Sequence, residues 1–217
     1  MEVTNRPKAG GIVTSMSEIS HATVSRLPRY LSLLDELEGT QETVSSDDLA
    51  ASAGVHAANV RRDLSDLGFQ GTRGVGYSVP ALGDRIRREL GIENRRMVAI
   101  VGAGNLGTAL ARYDGLARRG FDVTAIYDID PGRIGQSIGD LPIQQMEDMP
   151  VDCKVGCFDM AILAVPASAA QSVTDLLVKE GVRSILNFAP VRVNVPEGVA
   201  VRQVDLSTEL QILSYYG

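Results

Sequence analysis

Met97-Val98-Ala99-Ile100-Val101, followed at once by Gly102-Ala103-Gly104-Asn105-Leu106-Gly107, decides the fold of the larger part of this chain. The first five residues are a continuous apolar run of strand length. The next six are a Gly-x-Gly-x-x-Gly turn that opens the helical run Leu106, Thr108, Ala109, Leu110, Arg112. Alone, that glycine pattern is weak evidence; between a strand and a helix it is the context in which a dinucleotide is held. Gly102 makes the tight turn, Gly104 lets the backbone approach a pyrophosphate, and Gly107 lets helix and strand pack closely. Ala103, Asn105 and Leu106 complete the loop, whose free amides at the helix start hold phosphates.

Working outward, the strand Asp122–Asp128 ends in an acid 21 residues past Gly107, close to the spacing expected of a ribose-binding carboxylate. Asp128 would accept from the ribose hydroxyls and repel a 2′-phosphate, and no Arg follows it until Arg133, so NAD(H) is favoured over NADP(H). Strand Asp159–Val165, helix Ala167–Glu180, the stop at Gly181, strand Arg183–Asn187 and strand Val199–Val204 continue the alternation. The expected architecture is α/β, a doubly wound Rossmann-type parallel sheet over 92–204. Ligands of such sheets lie beyond the carboxyl ends of the strands, which places Val165, Pro166, Asn187, Phe188, Ala189 and Pro190 on the nicotinamide side.

The first part of the chain reads differently. Residues 1–19 are polar and without period, a leader carrying no fold. Val24, Leu27, Leu31, Leu34 and Leu37 recur at helical spacing, with Pro28 expected to kink the helix or mark its start. Ser45 or Ser46 caps a short helix carrying Asp47 and Asp48 in its first turn. Gly54 breaks it, and Ala57–Leu67 resumes with Val60, Leu64 and Leu67 inward and Asn59, Arg61 and Arg62 outward. Two short helices across a Gly turn, followed by the Gly-rich stretch Gly68–Pro80, predict a winged helix-turn-helix over 20–91. Arg85–Glu89 reads as a linker helix ending at Gly91. From His56 to Arg88 six Arg stand against three Asp in a chain of net charge −6, a local basic excess suited to DNA. Asn59, Arg61 and Arg62 would face the major groove and Arg73 on the wing the backbone or minor groove.

Composition excludes a wholly disordered chain, and no apolar run reaches the ~18 residues of a membrane span, so a cytoplasmic protein is expected, with no membrane partner. Cys153 and Cys157 fit no zinc spacing, and no metal site is expected. A nicotinamide enzyme needs a positioned acid or base, yet His21 and His56 both lie in the first part, and Tyr113 lacks a Tyr-x3-Lys partner. No catalytic residue is assigned, since a sensor explains this economy better than an enzyme. An NAD(H)-dependent oxidoreductase and a binding module for another adenine nucleotide, such as coenzyme A, stay open as alternatives. Asp205–Gly217 forms an amphipathic helix with Asp205 or Ser207 as cap; its face of Leu206, Leu210 and Leu213 could pack on its own sheet or on a partner.

Several stretches together resemble the Rex family of redox-sensing transcriptional repressors: Ile19-Ser20-x-Ala22-Thr23 with Arg26-Leu27-Pro28-x-Tyr30-Leu31, Val44-Ser45-Ser46, Val60-Arg61-Arg62-Asp63-Leu64-Ser65, Gly71-Thr72-Arg73-Gly74-Val75-Gly76-Tyr77, Asp128-x-Asp130-Pro131, and Asn187-Phe188-Ala189-Pro190-Val191. The resemblance implies a homodimer that binds double-stranded DNA at an inverted-repeat operator and is released from it by NADH, with NAD+ and NADH acting as effectors that are not turned over. It adds Ser46, Gly74 and Tyr77 to the DNA-binding set and Asp130 to the nucleotide set. It further implies that the C-terminal helix (205–217) swaps onto the partner's nucleotide domain, and that Tyr113 and Asp205 make state-dependent contacts to nicotinamide and the neighbouring subunit. Ser32 stands where some members carry an Arg paired with that acid, and Leu206 where some insert a Phe beside the partner's cofactor.

Overall fold

A computed structural model describes residues 19–216, so the leader expected at 1–19 lies, up to residue 18, outside the described residues. The chain divides into two compact units, one ending at Glu93 and the other beginning at Asn94. Among the described residues no helix is long and apolar enough to cross a membrane.

The first unit comprises α1 (His21–Leu37), β1 (Thr43–Val44), α2 (Ser46–Ala53), α3 (Ala57–Asp66), β2 (Tyr77–Ser78) and α4 (Val79–Glu89). Ser45, not Ser46, caps α2: its side chain accepts from the Asp48 amide while the Asp48 carboxylate accepts from the Ser45 amide, and Gly54 ends the helix in the left-handed conformation. On α3, Val60 and Leu64 are buried with Leu67 just beyond, while Asn59, Arg61 and Arg62 are exposed, as their spacing requires.

Three expectations for this unit change, and of the two readings of Pro28 the helix start is removed. Pro28 sits inside α1, and Val24 faces solvent. The Val24 carbonyl, which loses its helical donor at Pro28, is therefore on the side where water can serve it. The wing is smaller than a hairpin, a single bridge Thr72↔Gly76 around the Arg73-Gly74-Val75 turn, and β2 pairs instead with β1. The linker helix expected over Arg85–Glu89 begins at Val79 and is a core element, burying Val79, Leu82 and Ile86. Gly83 in its middle is itself buried.

The register of α1 is set by a charge on α3. Asp63 has no exposed surface, and its carboxylate accepts from Thr23 Oγ1 (3.0 Å), Tyr30 Oη (2.8 Å), Arg26 Nε (2.7 Å) and Arg26 Nη2 (2.6 Å). Burial alone would push this carboxyl up; donation by Arg26, Tyr30 and Thr23 outweighs it and holds the group below the usual carboxylate range. Burial and the same carboxylate push the Tyr30 phenol up.

The second unit holds β3 (Arg96–Val101), α5 (Asn105–Ala111), α6 (Asp114–Arg118), β4 (Phe121–Asp128), β5 (Ser137–Ile138), β6 (Leu141–Gln145), α7 (Met149–Val155), β7 (Met160–Leu163), α8 (Ala167–Lys179), β8 (Ser184–Asn187), β9 (Ala200–Gln203) and α9 (Leu206–Ser214). Its sheet runs β5-β6-β4-β3-β7-β8-β9, parallel throughout except for the antiparallel edge strand β5. This is the doubly wound order, and the chain reverses direction across the sheet beside β3, opening a crevice at the carboxyl ends. Strands β5 and β6 and helix α7 are not legible in the sequence: Gly135, Gly139 and Pro142 give that stretch the composition of a loop.

Replacing Asp63 by Asn leaves the Arg26 guanidinium without its counter-charge, so the first unit is expected to lose about 3 kcal/mol. Hydrogen exchange of the α1 and α3 amides in the full chain measures it. A carboxyl lowered on folding stabilises fully above its unfolded pKa of about 3.9 and ever less as pH drops below it. Protection in the parent should therefore weaken from about pH 4 downward, while Asp63→Asn shows no such slope.

Candidate functional site

The switch-point crevice is built from backbone contacts that admit no side chain. Gly102 lies at φ +100°, and a Cβ there would collide with the Ala164 carbonyl following β7. A Cβ on Gly107 would collide with the Gly102 carbonyl. At Gly104 nothing lies within 4 Å of the Cβ position, so this glycine leaves room above the loop and relieves no internal contact. The amides of Asn105, Leu106 and Gly107, in the first turn of α5, have no intrahelical acceptor. Loop and space together fit a pyrophosphate.

Asp128, the last residue of β4, reaches this loop directly. Its Oδ2 accepts from the Ala103 amide (2.7 Å), and its Oδ1 from the amides of Ile129 (2.7 Å) and Asp130 (2.9 Å). Asp130 in turn accepts from the Gly132 amide, and that turn brings Arg133 back: Nη1 donates to the Ala103 carbonyl (2.6 Å), and Nε pairs with Asp130 (3.3 Å). Arg133 belongs to this site, a position that sequence distance from Asp128 conceals. The available signal is the Asp130-Pro131-Gly132 turn, which reverses the chain.

Leu163 on β7 stands opposite Asn187 on β8, so Val165 and Pro166 and the stretch 187–190 emerge from neighbouring carboxyl ends. Phe188 packs half-buried against Val98, Ile100 and Ile162, and Val165 is half-buried beside Gly102. Ala189 is buried, whereas Pro166 and Pro190 are exposed. The Asn187 side chain is buried and fully engaged within the protein, shaping the turn. Tyr113 and Asp205 are not brought to the loop in this chain. Tyr113 stands just before α6, at the far end of α5, its ring lying where Gly115 leaves space. Asp205 is exposed and caps α9; the Ser207 amide and the Thr208 hydroxyl hold its carboxyl below the ordinary range. Every residue of α9 is solvent-exposed, so its apolar face does not pack on its own sheet.

In the first unit, Ser46, Arg61, Arg73, Gly74 and Tyr77 line one cleft of about 490 Å³ between α2, α3 and the wing. Arg61 Nη1 donates to Ser46 Oγ at 2.9 Å, which fixes its guanidinium over the cleft. Asn59 and Arg62 are exposed on α3 outside the cleft, and Tyr77 is largely buried beneath Gly71. The basic excess narrows: Arg85 pairs with Glu89, Arg87 with Asp35 and Glu38, and Arg88 with Glu93. Of the six arginines between His56 and Arg88, Arg61, Arg62 and Arg73 have no ion pair among the described residues, and they are the cations of that stretch left for an anionic partner.

The glycine geometry makes a sharp contrast testable. Gly107→Ala forces backbone apart and is expected to cost more than about 2 kcal/mol, while Gly104→Ala stays within about 1 kcal/mol of the parent. Thermal unfolding of the two variants side by side reads the difference.

The family model described as "CoA binding domain" matches residues 93–191, and that described as "Putative DNA-binding protein N-terminus" matches 18–65. The chain is 52% identical over 91% of its length to 77% of the redox-sensing transcriptional repressor Rex of Streptomyces coelicolor. With the Rex protein of Syntrophomonas wolfei it shares 44% identity over 92% of this chain and 95% of that one. Among solved structures it is similar to RSP, a Rex-family repressor, in complex with β-NAD+ and operator DNA (TM-score 0.84, 36% identity, 91% of this chain and 92% of that one). The β-NADH complex of RSP aligns with a TM-score of 0.81 at 34% identity, over 92% of this chain and 94% of that one. On these grounds, and with a winged unit and a doubly wound nucleotide unit in the same order, the chain belongs to the Rex family of redox-sensing transcriptional repressors.

Proposed function

We propose that this chain represses transcription by binding an inverted-repeat operator through its first unit, and leaves that operator when NADH occupies the carboxyl edge of its second. The observation that carries this reading is Asp128 lodged against the Gly102–Gly107 loop, with open space at Gly104. Gly102–Gly107 would hold the pyrophosphate and Asp128 the adenosine ribose, with Asp130 and Arg133 bracing the loop. Val165, Pro166 and the turn Asn187–Pro190 would border the nicotinamide ring. An apolar border penalises the charged ring of NAD+ relative to the neutral ring of NADH, which supplies the differential affinity a population shift requires. NAD(H) is then an effector and not a cosubstrate: both histidines lie in the first unit, and Lys154 and Lys179 sit on α7 and at the end of α8.

At the DNA, Arg61, held by Ser46, would read base edges, with Asn59 beside it. Arg62, Arg73, Gly74 and the Tyr77 region would contact the backbone. A second copy of the chain would cover α9, whose Leu206, Leu210 and Leu213 are each about two-thirds exposed. That swap would bring Asp205 to the partner's nucleotide edge and would supply the two-fold symmetry of an inverted repeat.

Fluorescence anisotropy of a labelled inverted-repeat duplex, titrated separately with NADH, NAD+ and NADPH at fixed salt, tests the reading: NADH alone should release the DNA. Gly104→Val should bind DNA normally and ignore NADH. Retained NADH-driven release in that variant would remove the loop from the nucleotide site. Leu210→Glu with Leu213→Glu should sediment as a monomer and bind the duplex at least about a hundredfold more weakly, as loss of bivalent engagement dictates.

A further inference from the structure

The turn Asn187–Pro190 is tied to the end of β9 by a ladder of amides. Asn187 stands opposite Gln203, the last residue of β9. Asn187 Nδ2 donates to Gln203 Oε1 (2.7 Å) and to the Val191 carbonyl (2.8 Å), and its Oδ1 accepts from the Ala189 amide (2.8 Å). Gln203 Nε2 donates to the Ala189 carbonyl at 2.7 Å, and the Val204 amide reaches the Asn187 carbonyl at 2.8 Å. The very next residue is Asp205, the cap of α9.

No residue of α9 is buried, so among the described residues its attachment to the second unit runs through its backbone root at 204–205. The root in turn leaves the sheet from the residue whose side chain spans the nucleotide-side turn. A Gln side chain can satisfy Asn187 and the Ala189 carbonyl together only while the turn keeps one conformation. Moving the Ala189 carbonyl breaks one bond of a reciprocal pair and shifts the strand end with it.

Resting on the sensor reading above, we propose that Gln203 is a positioning residue that couples the nicotinamide-side turn to the root of α9. Through it, occupancy of one subunit's nucleotide edge alters the placement of the helix it lends its partner. Gln203 touches no reacting group and contributes no affinity of its own for the nucleotide; its work is coupling between two sites.

The full-length variant Gln203→Met keeps the side-chain length and removes both hydrogen bonds. Two quantities separate coupling from pocket shape: the NADH Kd, from NADH fluorescence, and the factor by which saturating NADH raises the operator Kd. The expected result is an NADH Kd within about threefold of the parent while the NADH-driven rise shrinks about tenfold, most of a coupling of ordinary size. An unchanged rise overturns the proposal, as does a parallel loss of NADH affinity, which would make Gln203 a mere support of the pocket. Gln203→Glu keeps the acceptor for Asn187 and loses the donor to Ala189; should the Met variant fold poorly, the same two quantities are measured on it, with the same expected and overturning results. A parent chain whose operator affinity ignores NADH overturns the sensor reading itself, and the coupling with it.

Discussion

Backbone pressed directly on backbone is the constraint on which the nucleotide unit depends. Gly102 lies against the Ala164 carbonyl and Gly107 against the Gly102 carbonyl, so β3, β7 and α5 meet with no side chain between them. This close approach fixes where α5 starts, and hence where its unpaired amides point. It also brings the carboxyl end of β4 near enough for Asp128 to bond the Ala103 amide. The Asp128 carboxylate, the loop and the turn after β8 are therefore preorganised by the sheet before any ligand arrives.

The winged unit is organised on the opposite physical basis. There a buried charge, satisfied by four donated hydrogen bonds, sets the register of α1 against α3. An apolar contact tolerates sliding, whereas the fork of Arg26 on a carboxylate specifies both distance and direction. Such a pair adds little net stability over a well-packed apolar core, but it is costly to break, which suits a helix that must present its outer face in one orientation.

How much of this is legible in the sequence follows from where the determining interactions lie along the chain. Residues acting through local geometry are readable: a serine cap for α2 at 45 or 46, Gly54, the three glycines of the loop, and Asp128 at its spacing from them. Long-range partners are not. Thr43–Val44 is too short to read as a strand until β2 pairs with it, and the helical period places Val24 inward because it cannot know that Asp63 recruits Thr23 and Tyr30. Arg133 lies beyond the expected reach of Asp128 along the chain, although a turn closed by Asp130 returns it to Ala103. Gln203 carries no sequence signal at all, because its partners lie in another strand and turn. The match to a domain described as CoA-binding covers the stretch that folds as the parallel sheet; the proposed NAD(H) ligand is supported by Asp128 and by the Rex relatives.

If the outward residues of α3 meet DNA as proposed, the division of labour along that helix bears on the evolution of operator recognition. Positions 60, 63 and 64 face inward and carry the fold, whereas positions 59, 61 and 62 face outward and carry no core contact. Alternation at this fine grain lets the outward positions vary while the helix stays anchored through Asp63. Duplicated genes could thus acquire separate operators by a few substitutions, with the redox response of the nucleotide unit inherited intact. The same separation makes α3 a natural place to engineer orthogonal repressors that report on one metabolic signal at different promoters.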